Sequence, residues 1–143
     1  MLKNKKRCIA ITANTSWYLY NFRGNTIKSL INEGYEVVAI APRDAYSVRL
    51  IQLGCGYISL KMDQGGMNPL KDMITLSSIF RLLVSQRFDA ILNFTPKNNI
   101  YFSLIARVFS IPVINNIAGL GNAFVNGGIT RTFCRFLYKV SQG

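Results

Sequence analysis

Three short stretches hold the residues best suited to chemistry: Asn14-Thr15-Ser16-Trp17, Thr95-Pro96-Lys97-Asn98-Asn99 and Gly119-Leu120-Gly121. In the second, a helix starting at Asn98 or Asn99 would offer free amides and partial positive charge, and Lys97 adds a full charge beside them. That combination suits a phosphate or an anionic sugar acceptor. It also suits a plain helix start in which an asparagine caps and Lys97 is solvated. Gly119 and Gly121 let backbone amides approach a ligand closely, although glycine pairs after strands are common as simple turns. Trp17, Tyr18, Tyr20 and Phe22 crowd the first stretch, where aromatics either stack on a sugar or base or roof the core. Arg23 is placed to reach a diphosphate, or serves as an ordinary surface arginine.

Other chemistries are excluded by what the chain lacks. It contains no His, which removes a Ser-His-Asp triad, a Cys-His pair and any His-containing zinc site. Proton transfer would fall to a carboxylate or to the substrate, and no catalytic residue stands out. Asp44 reads as a cap before it reads as an acid, and Asp63 is open to either role. The glycine pair fails as a dinucleotide motif, because position 124 is Phe and Asn14-Thr15-Ser16 after the first strand has no glycine. No Walker A sequence exists. Cys8, Cys55 and Cys134 are odd in number and far apart, so they read as reduced thiols of a cytosolic protein, with no metal and no cofactor expected.

The 17 Lys and Arg against 6 Asp and Glu give a formal charge of +11, a field that favours nucleotides, lipid pyrophosphates, phospholipid headgroups or nucleic acid. No nucleic-acid recognition motif accompanies it, which puts nucleic acid last. Half the residues are hydrophobic, which points to a buried sheet or a membrane-facing patch. The opening run CIAITA is too short for a signal peptide, and Val108 to Thr130, the longest uncharged stretch, is interrupted by Pro112 and several Gly. Nothing is expected to span a membrane. The segment TRTFCRFLYKV reads as an amphipathic basic helix that either docks on the sheet or lies on an anionic membrane.

Elements alternate along the chain. Strands are expected at Arg7–Ala13, Tyr35–Ala41, Cys55–Leu60, Asp89–Phe94 and Pro112–Ile117. Helices are expected from about Tyr20 to Glu33, from the Asp44 cap to Gly54, from Asn68-Pro69 onward, at Asn99–Phe109 and at Thr130–Val140. In the third helix Leu70, Met73, Ile74, Ser77, Phe80, Leu83 and Val84 recur at helical spacing, which predicts one broad apolar face on a sheet. Short apolar strands between helices predict an α/β fold, a Rossmann-like parallel sheet with helices on both faces. Residues 1–143 then form a single domain, a length that buries ~70% of the unfolded surface. Ligands of such sheets sit at the carboxyl ends of the strands, where all three stretches lie.

The residues also resemble a family, the N-terminal domain of family 4 glycosyltransferases that build bacterial polysaccharides such as O-antigen and capsule. The similar segments are NTSWYLYNFRGNTIKSLINEGYEVVAIAP, MDQGGMNPLKD, FTPKNNIYFSLIARVFSIPVINNIAGLG and the final helix, nearly the whole chain. The chain departs at Gln64, where relatives often have Arg, and at Asn93 and Ala118, where His is common.

The resemblance implies one half of a GT-B architecture, with a C-terminal nucleotide-sugar-binding domain absent from this chain and its paired-glutamate motif without counterpart. It implies the acceptor-binding half of an enzyme, truncated or split and inactive alone, that moves a sugar from a nucleotide sugar to a lipid-linked glycan. By position, Asn14, Thr15, Ser16, Trp17 and Arg23 would line the interdomain cleft. Lys97 and Asn98 would face a phosphate, and Gly119 and Gly121 the donor sugar. Such enzymes need no metal, since basic groups and helix dipoles stabilise the leaving diphosphate. The expected place is the cytoplasm, with peripheral contact at the inner membrane. Two alternatives keep the fold: a non-catalytic anion- or nucleotide-binding module, and half of a GT-B sugar epimerase.

Overall fold

A computed structural model describes residues 5–62 and 68–116. Along the chain these are β1 (Cys8–Thr12), α1 (Ser16–Asn32), β2 (Glu36–Ala41), α2 (Ser47–Gln52), β3 (Gly56–Ser59), α3 (Pro69–Ser85), β4 (Ala90–Asn93), α4 (Pro96–Val108) and β5 (Val113–Asn115). The strands form one sheet in the order β3-β2-β1-β4-β5, and every pair is parallel. The α/β reading and the five strand positions hold. The glycine turn at 119–121, the final helix at 130–140, Asp63, Gln64, Ala118 and Cys134 lie outside the described residues.

Two cores sandwich the sheet. Strand residues alternate sides, so Ala10, Val38, Ile40 and Ile91 meet Ile79, Leu83, Phe102 and Ala106 of α3 and α4. Ile11, Val37, Ala39 and Ala41 meet Leu19 and Ile27 of α1 and Leu50 of α2. The same sheet is therefore apolar on both faces, as parallel sheets under helices require. Gly34 and Gly54 adopt φ of 95° and 103° just past α1 and α2, where a side chain would be strained.

Three expectations shift. The helix expected from Tyr20 starts at Ser16, because Thr15 takes the extended cap conformation and accepts from the Tyr18 amide. The aromatic stretch is thus helical. The helix expected from Asn99 starts at Pro96, where fixed φ suits the first turn. Third, α3 buries mostly a different side from the expected apolar face: of that face Leu83 is buried, together with Thr75 and Ile79, while Leu70, Met73, Ile74, Phe80 and Val84 are exposed. Thr75 can face the core because its hydroxyl donates to the Lys71 carbonyl at 3.0 Å, leaving its methyl to pack.

Candidate functional site

The strand order reverses between β1 and β4, and in open parallel sheets ligands sit beyond the carboxyl ends of the strands at that switch. The loops leaving β1 and β4 are Ala13–Thr15 and Phe94–Thr95, so the first two candidate stretches lie side by side there. Beneath them runs a polar chain that the sequence reading missed. The Thr12 hydroxyl donates to Asn93 Oδ1, Asn93 Nδ2 donates to Asn115 Oδ1 at 2.8 Å, and Asn115 Nδ2 donates to the Ser103 hydroxyl at 2.7 Å. Asn93 and Thr12 are fully buried. The chain of bonds ties β1, β4, β5 and α4 together under the site, where each buried polar group needs a partner.

The start of α1 is occupied from within the protein. Asp44 Oδ2 accepts from the Trp17 amide at 2.9 Å while its Oδ1 accepts from the Tyr46 amide at 2.7 Å. A carboxylate thus already sits on the positive end of α1. Asp44 is a cap, as expected, but of α1 and its own turn. Ser16 is buried and donates to the Pro42 carbonyl at 2.8 Å, and Ser47 and Tyr57 hydroxyls gather around it at 3.0 and 3.2 Å. Thr15 spends its oxygen on the Tyr18 amide. Of this stretch, Asn14 and Thr15 are half-buried and Trp17 is exposed, and Asn14 and Trp17 make no side-chain cap of the helix. Arg23 stacks its guanidinium over Phe94 at 4.5 Å and donates to the Tyr18 hydroxyl at 3.4 Å, and its buried Nε has no partner.

The start of α4 is different. Thr95 makes no side-chain cap bond to the backbone; its hydroxyl donates to Asn98 Oδ1 at 2.8 Å. The first helical bond runs from the Asn99 amide to the Thr95 carbonyl at 2.8 Å, so the Lys97 and Asn98 amides precede it. Asn98 is fully buried, and its carboxamide is held against this first turn with Nδ2 unpartnered. A buried donor without an acceptor costs about 1–3 kcal/mol, which an arriving oxygen would recover. Asn99 Nδ2 donates to the Asn116 carbonyl at 2.7 Å and fixes the loop after β5 beside the same turn.

Lys97 does not stand free. Its ammonium pairs with Asp72 of α3 at 3.4 Å. Burial, and then the neighbouring Asp72 carboxylate, push the Tyr101 phenol up to about 12, so Tyr101 is a neutral donor to that carboxylate. Lys97 therefore braces α3 against α4. Among the described residues no group of Cys, Asp or Glu could hold a metal ion, and no helix is long and apolar enough to cross a membrane.

The fold is thus a Rossmann-like parallel sheet with an open helix start at its switch point, an architecture that many protein classes share. Residues 8–141 match the Glycosyl transferase 4-like family, to which the chain belongs. In sequence it is similar to the N,N'-diacetylbacillosaminyl-diphospho-undecaprenol alpha-1,3-N-acetylgalactosaminyltransferase of Campylobacter jejuni, 29% identical over 128 residues. That match covers 86% of this chain and 34% of the relative, so the chain spans about a third of the relative's length. Among solved structures, a putative UDP-N-acetylglucosamine 2-epimerase from Listeria monocytogenes aligns with a TM-score of 0.67 at 15% identity, over 96% of this chain and 38% of that one. Acinetobacter baumannii MurG aligns with a TM-score of 0.58 at 20% identity, over 78% and 33%. At these identities the two structures show the fold alone.

Proposed function

We propose that this chain is the acceptor-binding half of a glycosyltransferase that moves a sugar from a nucleotide sugar to a lipid-linked glycan. The donor would be held by a second domain, and the chain alone would not transfer sugar. The observation that carries the reading is the start of α4: two leading amides and the buried, unpartnered Asn98 Nδ2 at the switch point of the sheet. Three N–H donors with a helix dipole behind them fit the oxygens of a diphosphate, the group that joins lipid to glycan in the Campylobacter jejuni relative's acceptor. Arg23, with a free Nε beside Phe94, supplies a cation on the other wall. The sugar face would be completed by Trp17 and Asn14, and by Gly119 and Gly121 beyond the described residues.

This reading moves the expected role of Lys97 from its ammonium to its backbone amide, since the ammonium is engaged by Asp72. Titration with geranyl diphosphate tests the site directly. Saturable binding that drops at least tenfold in Asn98→Asp is expected, because a built-in carboxylate would repel the ligand. Equal binding by parent and variant overturns the assignment of the site. The transfer reading stands or falls separately, on reconstitution with a separately expressed nucleotide-sugar domain, where absence of sugar transfer would sink it.

A further inference from the structure

The groove between α1 and the end of α2 has no place in the site above. It is a pocket of about 250 Å³ lined by Tyr20, Asn21, Gly24, Asn25 and Lys28 of α1 and by Leu53 just past α2. Gly24 is the unexpected member. Glycine is the poorest helix former after proline, yet this one stands inside a 17-residue helix. Nothing in the fold demands it. Among the described residues a Cβ at position 24 would meet no atom within 4 Å apart from its chain neighbours and its own helix backbone, and its φ is not positive. A glycine required by neither a turn nor a packing contact leaves backbone open to close approach from outside.

The lining selects the ligand. Asn21 Nδ2 donates to the Trp17 carbonyl at 2.9 Å, which holds the carboxamide and leaves Oδ1 as an acceptor. The Tyr20 ring is braced by the Tyr46 ring at 5.6 Å and the Arg49 guanidinium at 5.7 Å. Asn25 and Lys28 are exposed, without a hydrogen-bond or ion-pair partner among the described residues, and no carboxylate among those residues lines the pocket. A fixed aromatic ring, two carboxamides and a cation over bare backbone suit a sugar ring, whose carbons take the apolar contact, whose hydroxyls take the amides and which has a place for one negative charge. An apolar partner helix would bury these same polar groups without partners. The volume is below the ~300–1,000 Å³ of pockets that take drug-sized ligands, so the groove suits a single ring.

We propose that this groove binds one pyranose unit bearing a carboxylate, a hexuronic acid residue, with its ring against Tyr20 and the Gly24 backbone and its carboxylate at Lys28. From Ser16 to Gly24 α1 rises about 12 Å, which separates the groove from the switch point of the sheet. It is a second site that needs no transfer chemistry.

Titration of the full chain with the methyl glycosides of glucuronic and galacturonic acid, followed by saturation-transfer NMR against the neutral methyl glucoside, tests it. Saturable binding of a uronide is expected, about fivefold tighter than that of the glucoside, the effect of about 1 kcal/mol for an exposed ion pair. Gly24→Leu is expected to keep or raise the urea midpoint, since leucine favours helix and the space is open, and to weaken the uronide by roughly tenfold or more because its side chain fills the groove. Should that variant fold poorly, Lys28→Met is expected to bring the uronide down to the affinity of the glucoside. Absence of saturable uronide binding by the parent overturns the proposal, and so does undiminished binding by a folded Gly24→Leu or Lys28→Met variant. Self-association of a parent that binds no sugar, lost in Gly24→Leu, assigns the groove to a second copy instead. These glycosides carry no phosphate, so a result here is independent of the geranyl diphosphate titration.

Discussion

The two helix starts at the switch point, α1 after β1 and α4 after β4, have the same dipole and the same position at the sheet edge, and they differ in what satisfies them. At α1 a protein carboxylate, Asp44, and a capping hydroxyl, Thr15, take the leading amides. At α4 the cap residue turns its hydroxyl to Asn98, and a buried donor is left over. A helix N-terminus is therefore no site by itself. What distinguishes a binding end from a structural end is whether the chain has already supplied the acceptor.

The largest effect is expected where both ends share a foundation. Asn93→Leu strips the Thr12 hydroxyl and the Asn115 carboxamide of their partners and should cost about 3 kcal/mol in urea unfolding, from two newly unpaired groups. A loss near zero would mean that the network contributes no more than packing.

Asp44→Ala should cost about 2 kcal/mol by uncapping Trp17 and Tyr46 together. If the contrast between the helix starts is real, inorganic phosphate should raise the urea midpoint of this variant more than that of the parent. Lys97→Met is expected to cost about 1 kcal/mol, since the pair with Asp72 is largely shielded from solvent, and to weaken geranyl diphosphate less than Asn98→Asp does. The reverse order would return the site to the ammonium.

The remaining effect is in pH. Burial, then Glu36 and Asp89, raise the Cys8 thiol from 9.0 to about 11, and Tyr101 rises from 10.0 to about 12. Both folded values exceed the unfolded ones, so the fold favours the protonated forms. That contribution is whole below pH 9 and fades as pH climbs through 11 and 12, because the unfolded chain releases these protons first. The urea midpoint should decline from about pH 9 upward, and Cys8→Ala should shrink the earlier part of the decline, the rest of which belongs to the Cys55 thiol that burial also raises. A flat profile to pH 11 would contradict the raised thiol.

Much of this was readable beforehand. Four strands were plain as apolar runs and the third was weaker because of Gly56, and Gly34 and Asn68-Pro69 marked their helix ends by backbone chemistry. The α3 face was misread because apolar spacing counts Thr75 as polar, while in the fold its hydroxyl bonds back to its own helix. The α1 start was missed because four aromatics hid a Thr15–Tyr18 cap. At the site, the TPKNN stretch was legible as a helix start. Its buried polar floor was not, although both strands end in two apolar residues and an asparagine, Asn93 and Asn115, paired in register. Which side-chain atoms find partners depends on long-range contacts that spacing cannot express.

The central position of β1 bears on how the protein is made. β1 leaves the ribosome before the other four described strands, and β2 soon covers one of its edges, but the bond from Thr12 to Asn93 spans 81 residues. At ~5–20 residues per second, the other edge waits on the order of 4–16 s for β4. Through that interval an apolar strand with unpaired amides is exposed beside a growing chain. Translation arrested before Ala90 should thus yield aggregates, and release past Asn93 should abolish them.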